Sequence, residues 1–144
     1  MYEEAFKNID DVFWKDAGCS SELDYIEQTS WILFLKYLDD YEAEKETAAI
    51  LNGETYERII DKVFSWKEWA YPKTSEGKLN YDIALTGDDL LEFVNKELFP
   101  HLAGFKQSAD NPRSIDYKIG EIFSELRNKL QSGYSIRDVI NKVN

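Results

Sequence analysis

The chain has 144 residues, 43% hydrophobic and 15% aromatic, with a net charge of -11. That length suits one domain with a sizeable core, and the aromatic content excludes an acidic disordered chain. Its single cysteine, Cys19, excludes an internal disulfide, no amino-terminal stretch has the basic and apolar parts of a signal peptide, and the longest apolar run, Trp31 to Leu35, falls far short of the roughly 20 residues of a membrane span. A cytoplasmic protein with no membrane segment is expected.

In chain order, Phe6, Ile9, Phe13 and Trp14 recur at helical spacing from about Tyr2 to Asp16, and Gly18 marks the end of that helix. Ser21 and Asp24 stand in capping-box positions and start a long helix reaching about Ala49. At about 100° per residue this helix gathers Ile26, Trp31, Leu33, Phe34, Leu35, Tyr37, Leu38 and Tyr41 in one wide arc, opposite Gln28, Thr29, Lys36, Asp39 and Asp40. An arc that wide predicts a central helix with neighbours on several sides.

Asn52-Gly53 interrupts the pattern, and Tyr56, Ile59, Ile60 and Val63 then predict another short helix. Periodicity is lost over residues 64–82, where Trp66, Trp69, Tyr71, Pro72, Gly77 and Tyr81 suggest an irregular aromatic-rich loop or a small hairpin. Thr86-Gly87-Asp88-Asp89 offers capping oxygens to a helix carrying Leu90, Leu91, Val94 and Leu98, which Pro100 is expected to end. His101 to Arg113 reads as a connector. Ser114 caps a helix carrying Ile115, Ile119, Ile122, Phe123, Leu126 and Leu130, closed by Gly133. Ser135 and Asp138 form another capping box before Ile136, Val139, Ile140 and Val143, a pattern still running at Asn144, so both a natural end and a boundary within a longer chain stay open. The expected fold is mainly α: one compact helical domain, residues 1–144, of five or six helices.

Charge is unevenly placed. Residues 1–50 hold 13 acids and 4 bases, net -9, residues 51–104 hold 10 and 6, net -4, and residues 105–144 hold 5 and 7, net +2. Phosphate binding draws on clustered Lys and Arg, so any DNA-facing surface is expected in the last third, on Lys106, Arg113, Lys118, Arg127, Lys129, Arg137 and Lys142.

Chemistry is harder to find. The seven glycines are too scattered for a Rossmann fingerprint or a phosphate-binding loop. Lone Cys19 and lone His101 cannot build a thiolate cluster or a two-histidine metal site, and no nucleophile is spaced to meet His101. The pairs Asp10-Asp11, Asp39-Asp40 and Asp88-Asp89 point in different directions on a helix and read as caps and solvated faces. Trp66 and Trp69 could stack bases, but Lys67-Glu68 between them makes no basic groove, so core packing is the preferred reading. Asn111-Pro112 lacks the second proline and aromatic of an amino-methyltransferase motif and reads as a turn. No catalytic, cofactor-binding or metal-ligating residue is therefore assigned to this chain.

Several short signatures, in order, carry a resemblance. Phe13-Trp14-Lys15, Phe34-Leu35-Lys36-Tyr37-Leu38, Trp69-Ala70-Tyr71-Pro72, Leu85-Thr86-Gly87-Asp88-Asp89-Leu90, Glu97-Leu98-Phe99-Pro100, Lys118-Ile119-Gly120-Glu121-Ile122-Phe123 and Leu130-Gln131-Ser132-Gly133-Tyr134 resemble the amino-terminal helical domain of the modification (M) subunit of bacterial type I restriction-modification systems. The resemblance implies an adenine-N6 DNA methyltransferase using S-adenosylmethionine, with its catalytic domain downstream of these residues. It further implies partners: a specificity subunit, a second M subunit, in many systems a restriction subunit, and DNA held by the assembly. On that reading this piece alone is inactive and serves subunit assembly and DNA clamping. The alternative is a free-standing acidic helical interaction protein or DNA mimic, presenting carboxylates to a phosphate-binding groove.

Overall fold

The computed structural model describes residues 2–144, with side chains for residue 4 and residues 6–144; Met1 lies outside the described residues. Among them the chain is mainly helical, and its pairing of extended backbone is one antiparallel bridge, Lys73 to Leu79. The order is α1 (Tyr2–Lys15), α2 (Glu22–Leu51), a 3-10 turn (Lys62–Phe64), α3 (Trp66–Trp69), α4 (Gly87–Phe93), a π-helical stretch (Val94–Leu98), α5 (Phe99–Ala103), α6 (Phe105–Ser108), α7 (Ile115–Glu125) and α8 (Gly133–Val143).

Helix α2 is the spine. Its 30 residues span about 45 Å at the usual rise. Ser21 Oγ accepts from the Asp24 N–H at 3.3 Å, while Asp24 reaches back to the Ser20 N–H at 2.9 Å, one residue earlier than an ordinary capping box. The buried face is not the apolar arc the sequence suggests. Trp31, Ile32, Leu35 and Leu38 are buried as expected, but so are Asp24, Gln28, Asp39 and Glu42, whereas Ile26 is 63% and Tyr37 75% exposed. Polar residues are tolerated inside because chain segments far away in sequence supply their partners.

Two of those partnerships correct expected helices. The segment after Gly53 is irregular, not helical: Glu42, fully buried, accepts from the Ile59 and Ile60 N–H groups and the Tyr56 hydroxyl. Arg58 bonds to Asp39 at 2.8 Å and Glu46 at 2.6 Å. A carboxylate on α2 thus takes the backbone donors a helix would have used. The α7 helix likewise stops at Glu125, not near Leu130. Beyond it, Gln28 accepts from the Lys129 N–H and donates to the Arg127 carbonyl, both at 3.1 Å, and Asp16 accepts from the Gln131 and Ser132 N–H groups.

Gly133 opens α8 instead of closing α7, and Ser132, not Ser135, caps it by accepting from the Tyr134 N–H. A Cβ on Gly133 would lie 1.6 Å from the Gly87 carbonyl oxygen, so α8 and α4 begin in backbone contact. Thr86 takes the extended N-cap conformation without a side-chain cap bond. Pro100 does not end its helix. The π-helical stretch carries the Phe99 N–H to the Val94 carbonyl, five residues back, and Pro100 enters the first turn of α5, where a missing N–H is harmless.

The core is knit by aromatic contacts between remote elements. Trp31 meets Phe99 edge-on at 5.0 Å, and Phe99 meets Phe123 edge-on at 5.1 Å. Residues 64–82 contain the expected aromatic irregularity with a small hairpin-like bridge. Trp66 and Trp69 are 4% and 3% exposed, which fits core packing and leaves no stacking platform.

Candidate nucleic-acid interface

The seven basic residues singled out by charge do not form one surface. Lys106 on α6, Arg113 in the turn before α7 and Lys118 on α7 are exposed. Gly120 packs the two helices together: a Cβ there would lie 2.2 Å from the Lys106 backbone nitrogen, so α6 rests directly on the α7 backbone. Among the described residues, no carboxylate pairs with these three cations or with exposed Arg127. Along this segment Asp110, Asp116 and Glu121 alternate with the bases.

The other three are differently engaged. Lys129 donates to Asp24 at 2.6 Å and lies 3.7 Å from Glu27. That bond holds the Asp24 carboxyl down at about 2 and raises the lysine. Lys142 pairs with Asp138 at 2.9 Å along α8. Arg137 corrects the expectation outright. It is 8% exposed, and its guanidinium donates to the carbonyls of Leu85 and Ala70, tying α8 to the segment before α4. A fork of donors satisfied by two backbone carbonyls is not available to phosphate.

The remaining candidates show no catalytic geometry. His101 stacks on Phe64 at 4.0 Å, its Nε2 is buried without a partner, and burial holds its pKa below the usual histidine value. Burial pushes the Cys19 thiol up to about 11, away from the reactive thiolate. Asp10, Asp11, Asp40, Asp88 and Asp89 face solvent, but Asp39 is buried against Arg58, unlike the solvated face expected for it. Asn111 Oδ1 accepts from the Arg113 N–H at 2.9 Å, the bond of a local turn. Among the described residues no group of three or more His, Cys, Asp or Glu is placed to hold a metal ion.

Of the residues that hold the chain together, Asp16, Gln28, Glu42 and Arg58 stand outside the sequence-derived candidates, and Arg137 is among them for a different role. Only Asp16, just before the Gly18 turn, carries a local sign of its role. The ordered signatures, by contrast, coincide with packing: Phe99 and Phe123 touch, and Gly87 abuts Gly133.

Residues 3–143 match the model of one family, the HsdM N-terminal domain. The chain belongs to that family. This HsdM N-terminal domain is 39% identical over 139 residues to the type I restriction enzyme EcoEI methylase subunit of Escherichia coli, covering 96% of this chain and 25% of that protein. Its fold is similar to a crystal structure assigned as the modification subunit of a type I restriction enzyme from Vibrio vulnificus YJ016. That similarity has a TM-score of 0.85 and 29% identity over 99% of this chain and 30% of the other. A chain from a structural study of complex assembly and conformational transition in the type I restriction-modification system matches with a TM-score of 0.71 and 30% identity, over 99% of this chain and 25% of that one. The HsdM N-terminal domain described here thus spans between a quarter and a third of the length of these relatives. Among the described residues no helix is long and apolar enough to cross a membrane.

Proposed function

We propose that residues 1–144 form a single amino-terminal domain for subunit assembly and DNA clamping within a longer, cytoplasmic modification subunit. The longer protein transfers methyl from S-adenosylmethionine to adenine N6 in DNA, through a catalytic domain that follows these residues. The observation that carries this proposal is the match of 96% of the chain to only 25% of a methylase subunit. Chemistry agrees with it: the chain has no glycine-rich cofactor turn, its lone thiol is buried, and its lone histidine is stacked on Phe64. A specificity subunit, a second modification subunit and in many systems a restriction subunit are the partners, with DNA enclosed by the assembly.

Within that role, Lys106, Arg113, Lys118 and Arg127 are the cations free to face phosphate. Lys129 and Lys142 contribute only by giving up their carboxylate partners, and Arg137 is removed from the set. Family membership over residues 3–143 favours this proposal over a free-standing DNA mimic.

The test is deletion of these residues from the full-length subunit. S-adenosylmethionine binding should persist, while assembly with the specificity subunit and DNA, and with it adenine methylation, should be lost. Methylation by a normally assembled complex lacking the domain would refute the proposal, as would methyl transfer by the 144-residue chain alone.

A further inference from the structure

Helix α2 turns an apolar stripe outward. Leu23 and Ile26 are each 63% exposed and Tyr37 75% exposed, with Ser30 and half-buried Leu33 between them. Their spacing, alternately three and four residues, is that of a coiled-coil seam, about 21 Å long. A shallow groove of about 730 Å³ runs beside it, lined by Ser30, Leu33, Phe34, Tyr37 and Val143 among others. Isolated exposed apolar residues are ordinary, but several on one helix face at seam spacing, with a groove alongside, mark a contact surface.

Charge says what would cover it. The amino-terminal end of the stripe is bordered by Asp10 and Glu22; burial first, and then the charges of Glu22 and Asp11, raise the Asp10 carboxyl, and no lysine or arginine pairs with Asp10 or Glu22 among the described residues. Farther along, Lys36 is taken by Asp40 and Lys129 by Asp24. The first 50 residues carry net -9 from 13 acids and 4 bases, so a second copy would bring like charge to this face. A basic partner would be attracted.

We propose that the outer stripe of α2 is a docking seam for an amphipathic helix of a partner protein, with apolar residues at heptad a and d positions flanked by lysine or arginine. The inference rests on the assembly role proposed above and assigns it a surface. Lys36 and Tyr37, two residues of the Phe34 to Leu38 signature that core packing leaves unexplained, then belong to the contact.

The experiment uses the 144-residue chain without DNA, cofactor or other subunits, so its failure is separable from failure of the methyltransferase proposal. Fluorescence anisotropy follows a labelled helical peptide of about three heptads, with leucine at a and d and lysine at e and g. Micromolar binding is expected, weakened at least ~10-fold in the triple variant Ile26→Ser, Leu33→Ser, Tyr37→Ser, with circular dichroism showing that the variant keeps its helix content. Asp10→Asn with Glu22→Gln should flatten the salt dependence of binding. Absence of binding, equal binding to the triple variant, equal binding of the same peptide with glutamate at e and g, or self-association of the chain through this stripe would each overturn the inference.

Discussion

Gly133 and Gly87 meet backbone to backbone: a Cβ on Gly133 would stand 1.6 Å from the Gly87 carbonyl oxygen. The contact sets where α8 begins and holds it against the first turn of α4. Gly133→Ala must push the two helices apart and should destabilise the fold by about 3 kcal/mol or more, the upper range for overpacking. Gly53→Ala is the comparison, because Gly53 has a φ of 70° but nothing within 4 Å. It should cost only about 1 kcal/mol from its backbone conformation. Urea unfolding of the two variants checks the order, and equal midpoints would contradict it.

Gln28 links α2 to the strap that follows α7. It accepts from the Trp31 indole N–H at 2.8 Å and the Lys129 N–H at 3.1 Å, and donates to the Arg127 carbonyl. Gln28→Leu keeps approximate volume but orphans buried donors, at about 1–3 kcal/mol each where water cannot enter. A loss of about 2–4 kcal/mol in thermal or urea unfolding is expected. A variant as stable as the parent would show that the strap does not depend on this residue.

The effect of acid divides between two groups. Asp24 has a depressed folded pKa of about 2, caused first by the Lys129 hydrogen bond. Its stabilising contribution is complete above the unfolded carboxyl value of about 3.9 and is lost as pH falls toward the folded value. In Lys129→Met that low-pH loss should shrink and the Asp24 resonance should titrate higher by NMR.

His101 acts at milder pH. Its folded pKa is depressed by burial, so the unfolded chain binds the proton more readily. Stability should decline as pH drops through about 6.5 and level off below the lowered folded value. His101→Phe keeps the contact with Phe64, removes the unpartnered Nε2, and should both abolish this slope and stabilise the fold by on the order of 1 kcal/mol. Parallel stability profiles of parent and variant between pH 5 and 8 would count against this.

Arg137 separates structural from DNA-facing charge. Arg137→Met leaves the Leu85 and Ala70 carbonyls without their donor and should cost about 2–4 kcal/mol in unfolding, since each lost charge-assisted bond contributes about 1.5–3 kcal/mol. Salt dependence of DNA binding by the assembled complex should be unchanged at temperatures where the variant is folded.

These residues mark how far sequence carries. Local chemistry places α1, the Ser21 start of α2, the Ser114 cap of α7 and the burial of Trp66 and Trp69, because caps and helical spacing act over a few residues. Glu42 and Gln28 defeat the same approach. Each lies among polar neighbours on a helix, and only contacts 17 and 99 residues away make them interior groups. Those contacts also end α7 early and keep residues 54–60 from becoming a helix. Pro100 was legible as a breaker but not as part of α5, because the π-helical stretch before it is visible only in the backbone. At the candidate interface, Lys106, Arg113 and Lys118 are exposed, while Arg137 turned inward because its partners are carbonyls, which leave no charge pattern.

In the role proposed above, this domain meets DNA as part of a larger assembly, through Lys106, Arg113, Lys118 and Arg127. The most direct measurement is the salt dependence of DNA affinity of the assembled methyltransferase carrying Lys106→Glu, Arg113→Glu, Lys118→Glu and Arg127→Glu together. Each lost phosphate contact should reduce the slope of log K against log salt by about 0.9, with S-adenosylmethionine binding intact. Affinity and slope identical to those of the parent complex would contradict it.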